Sequence, residues 1–205
     1  MKGLVLKDLY LTFAKQKMLL LLTCFLLGVA LMDNNNLFLL IYSTVFITML
    51  PISLLSMDES EKWTTFCETL PVTKGQYVSG KMILYLVTTC AFIALTAVTE
   101  AVWMVLYGGF DETLYTAIML GVTLTPFVVS SVQFPIIFRF GAEKGRIIFL
   151  SLYLILSLSS VYFLNKTTLL SWLSGINIPL LIGAVTAIFA LSWLLSIRMH
   201  EKRTK

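Results

Sequence analysis

Long apolar runs alternate with short polar segments along the whole chain. The apolar runs occupy residues 18–32, 37–57, 82–107, 114–138, 147–164 and 178–197. About 20 apolar residues in a helix cross a hydrocarbon core that is ~30 Å thick, so we expect each run to form a transmembrane helix. The pattern predicts an all-α integral membrane protein with six transmembrane helices, built as one domain over residues 1–205.

The composition removes several classes of protein from consideration. Hydrophobic residues make up 58% of the chain and charged residues only 13%, whereas soluble domains contain about 25% charged residues. The mean hydropathy is +0.90. After six helices are counted, too little chain remains for an ATPase domain, a nuclease or a secreted disulfide scaffold.

The distribution of basic residues predicts the orientation in the membrane. Fourteen of the fifteen Lys and Arg residues lie in the two terminal segments and in the connections at 58–81 and 139–146, and only Lys166 lies on the other side. Positive charge collects in cytoplasmic loops, so we expect both termini to be cytoplasmic. The basic charge then has a topological cause, and we expect no nucleic-acid partner.

Two segments outside the spans have the spacing of amphipathic helices. In residues 1–17, Leu6, Leu9, Tyr10 and Phe13 form an apolar stripe, which predicts a helix lying flat at the membrane surface. Residues 165–177 show the same spacing and predict a short extracellular amphipathic segment. Either helix could be a simple interfacial anchor.

The connection at 58–81 has the most informative pattern. Asp58 and Glu61 have the spacing of a capping box, and an aromatic and apolar face follows before a proline ends the helix. That face consists of Trp63, Phe66, Cys67 and Leu70. Such a face must be covered by lipid headgroups, by the protein's own helices or by a partner protein. Thr73 and Gln76 repeat the capping-box spacing and predict a second helix that leads into the third span.

Polar residues inside the spans are candidates for a translocation path. Glu100 is the one acidic residue in the predicted spans, and an acidic side chain in hydrocarbon is costly enough to mark a functional site by default. It could serve as a gate, a substrate contact or a proton site, or it could be a protonated carboxyl bonded to Thr96 or to another helix. Ser130, Ser131 and Gln133 lie between two prolines of the fourth span and are further candidates.

We find no motif for a bound cofactor or for catalysis. Residues 75–81 match the first seven positions of a phosphate-binding loop, but Met82 stands where Ser or Thr should hold magnesium, and the following helix enters the membrane. The lone His200 leaves no Ser/His/Asp triad and no His-based metal site. We expect a non-catalytic chain that binds no metal or cofactor itself.

Three stretches together resemble one family. They are residues 1–9, residues 61–81 with Leu70-Pro71-Val72-Thr73-Lys74, and residues 140–146 with the sequence Phe-Gly-Ala-Glu-Lys-Gly-Arg. In this order, and with six spans, the chain resembles the bacterial ABC type-2 permeases, the membrane subunits of ATP-binding-cassette exporters. Its small size is most similar to the permeases of antimicrobial-peptide and cytolytic-peptide exporters such as the phenol-soluble modulin system.

The resemblance implies a role for each unusual segment. Residues 1–17 would be the connecting helix, and 58–70 the cytoplasmic coupling helix that enters a groove on a separate ATPase. The implied ATPase-coupling residues are Asp58, Glu59, Glu61, Trp63, Phe66, Cys67, Leu70, Glu143 and Lys144.

The resemblance also implies an assembly and a cargo. Two cytosolic ATPase subunits would bind ATP and Mg²⁺, and a second permease, either another copy or a paralogue, would complete the path. The assembly would lie in the bacterial cell membrane and export an amphipathic peptide or hydrophobic drug. Two alternatives stay open: a proton-coupled secondary transporter that uses Glu100, and a membrane immunity or sensor protein that transports nothing.

Overall fold

The computed structural model describes residues 2–32, 37–69, 73–107, 112–148, 150–151 and 178–203. Every regular element in these ranges is a helix, which confirms the predicted all-α class. The main helices are α1 (Lys2–Lys15), α2 (Lys17–Met32), α3 (Leu37–Ser60), α4 (Trp63–Thr69), α5 (Lys74–Tyr107), α6 (Glu112–Phe140) and α7 (Ile178–Arg203). Residues 142–148 are also helical. The predicted extracellular segment at 165–177 and most of the predicted fifth span lie outside the described residues.

Three helices in the described part of the chain are long and apolar enough to cross a membrane. These segments are Lys74–Leu106, Ile118–Phe140 and Pro179–Glu201. A fourth is present if α1 and α2, which are bent by 72° at Gln16, count as one broken span. The protein is therefore a multi-pass membrane protein, while the number six and the side of each terminus stay predictions.

The described helices pack as a bundle around α3, α5 and α6. Helix α3 contacts α2, α5 and α6, and α7 packs against α6 and α5. Tyr85 is fully buried among aromatic rings of the neighbouring helices, with its ring centroid 5.2 Å from that of Phe134 and 5.9 Å from that of Phe189. Its hydroxyl donates to the Pro126 carbonyl at 2.7 Å. Since lipid is as apolar as these side chains, packing and hydrogen bonds hold such helices together.

The outer faces of the bundle are apolar. On α7, Leu180 is 69% exposed and Leu191 is 60% exposed, and on α5 Val98 is 62% exposed. Exposed apolar surface over several long helices is unfavourable in water and favourable in lipid. The surface therefore agrees with the membrane location that the helix lengths indicate.

The predicted start of the coupling helix at Asp58 is wrong. Helix α3 continues to Ser60, so Asp58 lies inside it, and the next helix begins only at Trp63. Lys62 has a φ of 56°, a left-handed conformation that commonly ends a helix. The Asp58 carboxylate pairs with lysines of other helices instead of capping, and these tertiary contacts outweigh the local capping preference.

The second predicted capping box is confirmed. The backbone N–H of Gln76 donates to the Thr73 hydroxyl at 3.3 Å, and the backbone N–H of Thr73 donates to the Gln76 side-chain oxygen at 3.2 Å. These two bonds satisfy donors that the first turn of a helix leaves free. They fix the start of α5 at Lys74.

Candidate functional site

Four charged side chains from three helices meet inside the bundle, where α3 ends and α5 begins. Lys81 Nζ lies 2.9 Å from Asp8 Oδ2 and 2.6 Å from Asp58 Oδ2. Lys7 Nζ lies 3.1 Å from Asp58 Oδ1 and 3.4 Å from Asp8 Oδ1. The Lys81, Asp8 and Asp58 side chains are 2%, 3% and 5% exposed. Two cations balance two anions in this cluster, which we call the ion network.

Tyr77 and His200 extend the ion network to the last helix. The Tyr77 hydroxyl donates to Asp58 Oδ2 at 3.1 Å, and Lys81 Nζ lies 5.6 Å from the centroid of the Tyr77 ring. The same ring stacks on His200 with the centroids 5.6 Å apart. Helices α1, α3, α5 and α7 therefore meet at this one place.

The ion network holds its helices in a fixed relation. Burying charges costs free energy, which the attraction between partners returns only when the geometry is good. Loss of one partner from such a pair costs about 3–5 kcal/mol, because the other charge stays buried. The end of α3, the start of α5 and helix α1 are thus tied together at a few specific contacts.

The short helix α4 lies directly on the ion network. Lys7 Nζ is 3.9 Å from the centroid of the Trp63 ring, a cation–π contact. Cys67 is buried against the same core as Trp63, and this burial raises the pKa of the Cys67 thiol. Phe66 is 52% exposed, and its ring centroid is 5.2 Å from that of Trp63. The predicted apolar face is therefore divided: Trp63 and Cys67 face the bundle and Phe66 faces away, while Leu70 lies outside the described residues.

The predicted acidic coupling residues next to α4 bond within the chain. Glu59 Oε2 accepts the backbone N–H of Ala142 at 2.9 Å and so caps the helix at 142–148, which follows Gly141 with its φ of 93°. Glu61 pairs with Lys15 of α1 at 2.7 Å in an exposed ion pair. Both acids thus connect neighbouring elements of the same chain.

The remaining predicted coupling residues lie on the helix that Glu59 caps. Glu143 and Lys144 are exposed there. Gly145 of that helix packs so closely on α6 that an added Cβ would lie 2.8 Å from the Ile137 Cα atom. The structure brings 142–148 close to α3 and α6 and leaves its two charged side chains accessible.

Glu100 lies far along α5 from the ion network. Lys81 of the ion network and Glu100 are 19 positions apart. In a helix this separation is about 28 Å, nearly the thickness of the hydrocarbon core. Glu100 is fully buried, and neither carboxylate oxygen has a hydrogen-bond partner among the described residues. The proposed bond to Thr96 does not form, because the Thr96 hydroxyl donates to carbonyls of its own helix.

The other path candidates are buried inside the single chain. The Ser130 hydroxyl donates to the Phe127 carbonyl at 3.0 Å, and the Ser131 hydroxyl donates to the Val128 carbonyl at 2.7 Å. Gln133 is buried with its amide nitrogen 4.0 Å from the sulfur of Met49. The two serine hydroxyls therefore bond to carbonyls of their own helix.

The sequence predicts the helices around the ion network but not the network itself. In the sequence, Asp58 has the spacing of a helix cap, Lys81 ends the stretch that matches a phosphate-binding loop, and Asp8 lies within the amphipathic segment 1–17. A usable signal was present: an acid at the end of one apolar run and a lysine at the start of the next, neither balanced within its own helix. In the described ranges no three His, Cys, Asp or Glu side chains are grouped to hold a metal ion.

Comparison with known proteins adds a family. Residues 3–201, nearly the whole chain, match a family model described as ABC-2 family transporter protein. The match includes residues 61–81 and 140–146 and, of the first stretch, residues 3–9. No curated protein and no solved structure matches this chain.

Proposed function

The chain belongs to the ABC-2 family of transporter proteins, and from that premise we propose that it is the permease subunit of an ATP-driven exporter, moved by a separate cytosolic ATPase. In the proposed arrangement six spans cross a bacterial cell membrane and both termini are cytoplasmic. The distribution of Lys and Arg along the chain supports this orientation.

The observation that carries the proposal is the position of α4. This seven-residue helix presents Phe66 outward and places Trp63 on Lys7 of the ion network. Aromatic residues are enriched among the anchors of protein interfaces. An ATPase that holds Phe66 would therefore pull on a helix connected to α1, α3 and α5.

Movement of α4 reaches the spans through specific contacts. Lys7 joins α4 to α1 and α3, and Lys81 joins both to the start of α5, a helix of 34 residues. Displacement of α4 thus displaces the end of a membrane-crossing helix. The proposed cycle begins when ATP and Mg²⁺ close the partner ATPase dimer, and it ends when two permeases rearrange to release cargo.

The cargo we propose is an amphipathic or membrane-active peptide, or a hydrophobic drug. Support comes from the connections between the predicted spans, which are too short in the sequence to form a domain that could bind a folded protein. A second permease, either another copy or a paralogue, supplies the other half of the path. The path itself is formed between subunits, which agrees with the burial of Ser130, Ser131 and Gln133 inside this one.

The test is purification of the tagged full chain from its native membranes, followed by measurement of ATP hydrolysis in the eluate. We expect a cassette ATPase to co-purify, and we expect Phe66→Ala to reduce its recovery by about tenfold, the effect of losing one interface anchor. Phe25→Ala is the matched control, since Phe25 is 66% exposed on α2 and lies in a predicted span. Absence of any ATPase with the unaltered chain, or equal recovery with both variants, would refute the proposal.

One observation favours a second candidate function. Glu100 is buried without a hydrogen-bond partner among the described residues, which suits a carboxyl that takes up and releases a proton in a secondary transporter. Transport in proteoliposomes containing this chain alone distinguishes the two functions. A proton gradient would drive the secondary transporter, and a protonophore would stop it, whereas the ABC permease would be inactive without its ATPase.

A further inference from the structure

A groove lies between α1 and the spans, on the inside of the 72° bend that joins α1 to α2. Side chains from α1, α2, α3 and α5 line it, and its volume is about 290 Å³. Leu9 and Phe13 of α1 lie on one side, and Ile47, Val87 and Phe92 of the bundle lie on the other. Phe13, Val87 and Leu95 of the lining are 62%, 47% and 45% exposed, so the groove opens onto an apolar surface of the protein.

The polar groups in the groove are already satisfied. The Thr12 hydroxyl donates to the Asp8 carbonyl at 2.8 Å and the Thr23 hydroxyl donates to the Leu20 carbonyl at 2.8 Å. The third threonine of the lining, Thr88, likewise donates to carbonyls of its own helix. These hydroxyls need no partner from a ligand, so the groove suits a chain without polar groups.

The volume limits what can occupy the groove. A helix about 10 Å wide that rises 1.5 Å per residue fills roughly 120 Å³ per residue. A space of about 290 Å³ therefore surrounds only two or three residues of a helical peptide, and the rest of the helix would lie outside the groove. A single flexible hydrocarbon chain fits this space far better than an amphipathic helix does.

A lysine on α2 precedes the residues of that helix that line the groove. Lys17 is exposed and begins α2, and it shares a helix face with two lining residues, Leu20 at i+3 and Cys24 at i+7. Lysines beside a membrane surface attract anionic headgroups. A positive charge next to the groove and an apolar lining are together complementary to an anionic phospholipid.

We propose that this groove is a binding site for one anionic phospholipid, with an acyl chain between α1 and the spans and the phosphate beside Lys17. The lipid would fill the space under the bend and support α1 at the membrane surface. This site is independent of the proposed ATPase coupling, because Phe66 and the ion network do not line it.

The test is native mass spectrometry of the purified full chain with added phosphatidylglycerol or phosphatidylcholine. We expect one tightly bound phosphatidylglycerol, and about fivefold weaker binding for Lys17→Ala, the worth of one lysine at an anionic surface. Arg198→Ala is the control, since Arg198 is exposed on α7 and away from the groove. Equal binding of both lipids, or equal losses in both variants, would overturn the proposal.

A second pair of variants tests the position of the acyl chain. Ala91 lines the groove and Ala94 is exposed on the same helix outside it. We expect Ala91→Trp to weaken phosphatidylglycerol binding roughly tenfold, as when two methylenes leave a buried site, and Ala94→Trp to leave it unchanged. Similar effects of the two variants would place the lipid elsewhere.

Labelling at a native cysteine gives the same information without a bulky mutation. Cys24 is exposed in the groove, so an octyl disulfide on Cys24, with the other two cysteines replaced by serine, should block the lipid as Ala91→Trp does. An amphipathic peptide in place of the lipid is the competing outcome. Displacement of the peptide by the octyl group, with no effect on phosphatidylglycerol, would assign the groove to cargo and overturn the lipid site.

Discussion

Replacing Lys81 with methionine removes one of the two cations from the ion network. The Asp8 and Asp58 carboxylates, which lie 2.9 Å and 2.6 Å from Lys81 Nζ, would then share only Lys7. The network changes from two positive and two negative charges to one positive and two negative, a net charge of −1 in a buried place. Methionine fills a similar volume, so the lost charge is the main perturbation.

The expected cost is large because the partners are buried. The Asp8 and Asp58 side chains are only 3% and 5% exposed, and an uncompensated buried charge costs about 3–5 kcal/mol. In a chain of 205 residues each 1 kcal/mol lowers Tm by roughly 2–4 °C. We therefore expect Lys81→Met to lower Tm by roughly 6–20 °C.

A matched control and a double variant separate this effect from general damage. Lys15→Met breaks the Lys15–Glu61 pair, whose side chains are 48% and 58% exposed, and should cost less than about 1 kcal/mol. Lys81→Met combined with Asp8→Leu leaves one cation and one anion, Lys7 and Asp58. We expect this neutral double variant to regain much of the lost stability, since apolar replacement of a buried pair is often nearly neutral.

The assay is thermal unfolding of the purified chain in detergent. Unfolding is monitored by the reaction of a dye with the buried Cys67 thiol, in a background where the other two cysteines are replaced by serine. Lys81→Met, Asp8→Leu and their double variant form a thermodynamic cycle with the unaltered chain. We expect a coupling free energy of about 2 kcal/mol from this cycle. Equal Tm losses for Lys81→Met and Lys15→Met would refute the reasoning. So would a double variant whose loss equals the sum of the two single losses.

Three further predictions follow from other contacts. Gly145→Ala should destabilise the protein by about 1–3 kcal/mol, because the added Cβ would lie 2.8 Å from the backbone of Ile137. Gly183→Ala in α7 is the control: a Cβ there would have nothing within 4 Å, so this variant should be neutral or stabilising in the same unfolding assay. Since burial raises the pKa of the Cys67 thiol, its alkylation rate should keep rising above about pH 9, where the rate for glutathione levels off; matching profiles would contradict this. Glu100→Gln should lower export in proteoliposomes containing the complete transporter while leaving membrane insertion unchanged, and full export would remove Glu100 from the mechanism.

The long helices could be predicted from the sequence because their signal is local. The predicted run at 37–57 lies within α3, and those at 114–138 and 178–197 lie within α6 and α7. The main difference is at the ends, where α5 begins eight residues before the predicted start of its span, at 74 instead of 82. The Thr73–Gln76 capping box predicted this extension, since it uses only backbone and side-chain groups three residues apart.

The ion network could not be predicted because its partners are distant in sequence. Lys7 and Asp58 are separated by 51 positions, and local patterns carry no information about which helices pack together. Asp58 shows the consequence: by itself it resembles a helix cap, and only contacts with α1 and α5 reveal it as half of a buried pair. The same is true of Trp63 and Phe66. Their rings remain 5.2 Å apart, and only the packing shows that Trp63 contacts Lys7 whereas Phe66 is exposed.

The two aromatic residues of α4 differ in what they contact, and this difference gives them different roles. Phe66, 52% exposed, is available to a partner, whereas Trp63 contacts Lys7 and through it the ion network. Apolar contacts alone are non-directional and let packed helices slide, but ion pairs of 2.6–3.1 Å hold only at specific positions. A displacement of α4 would therefore displace α1 and α5 with it, because the ion pairs would break if the helices moved relative to one another. In the proposed function, binding of the ATPase and transmission of its movement would thus depend on separate side chains of one short helix.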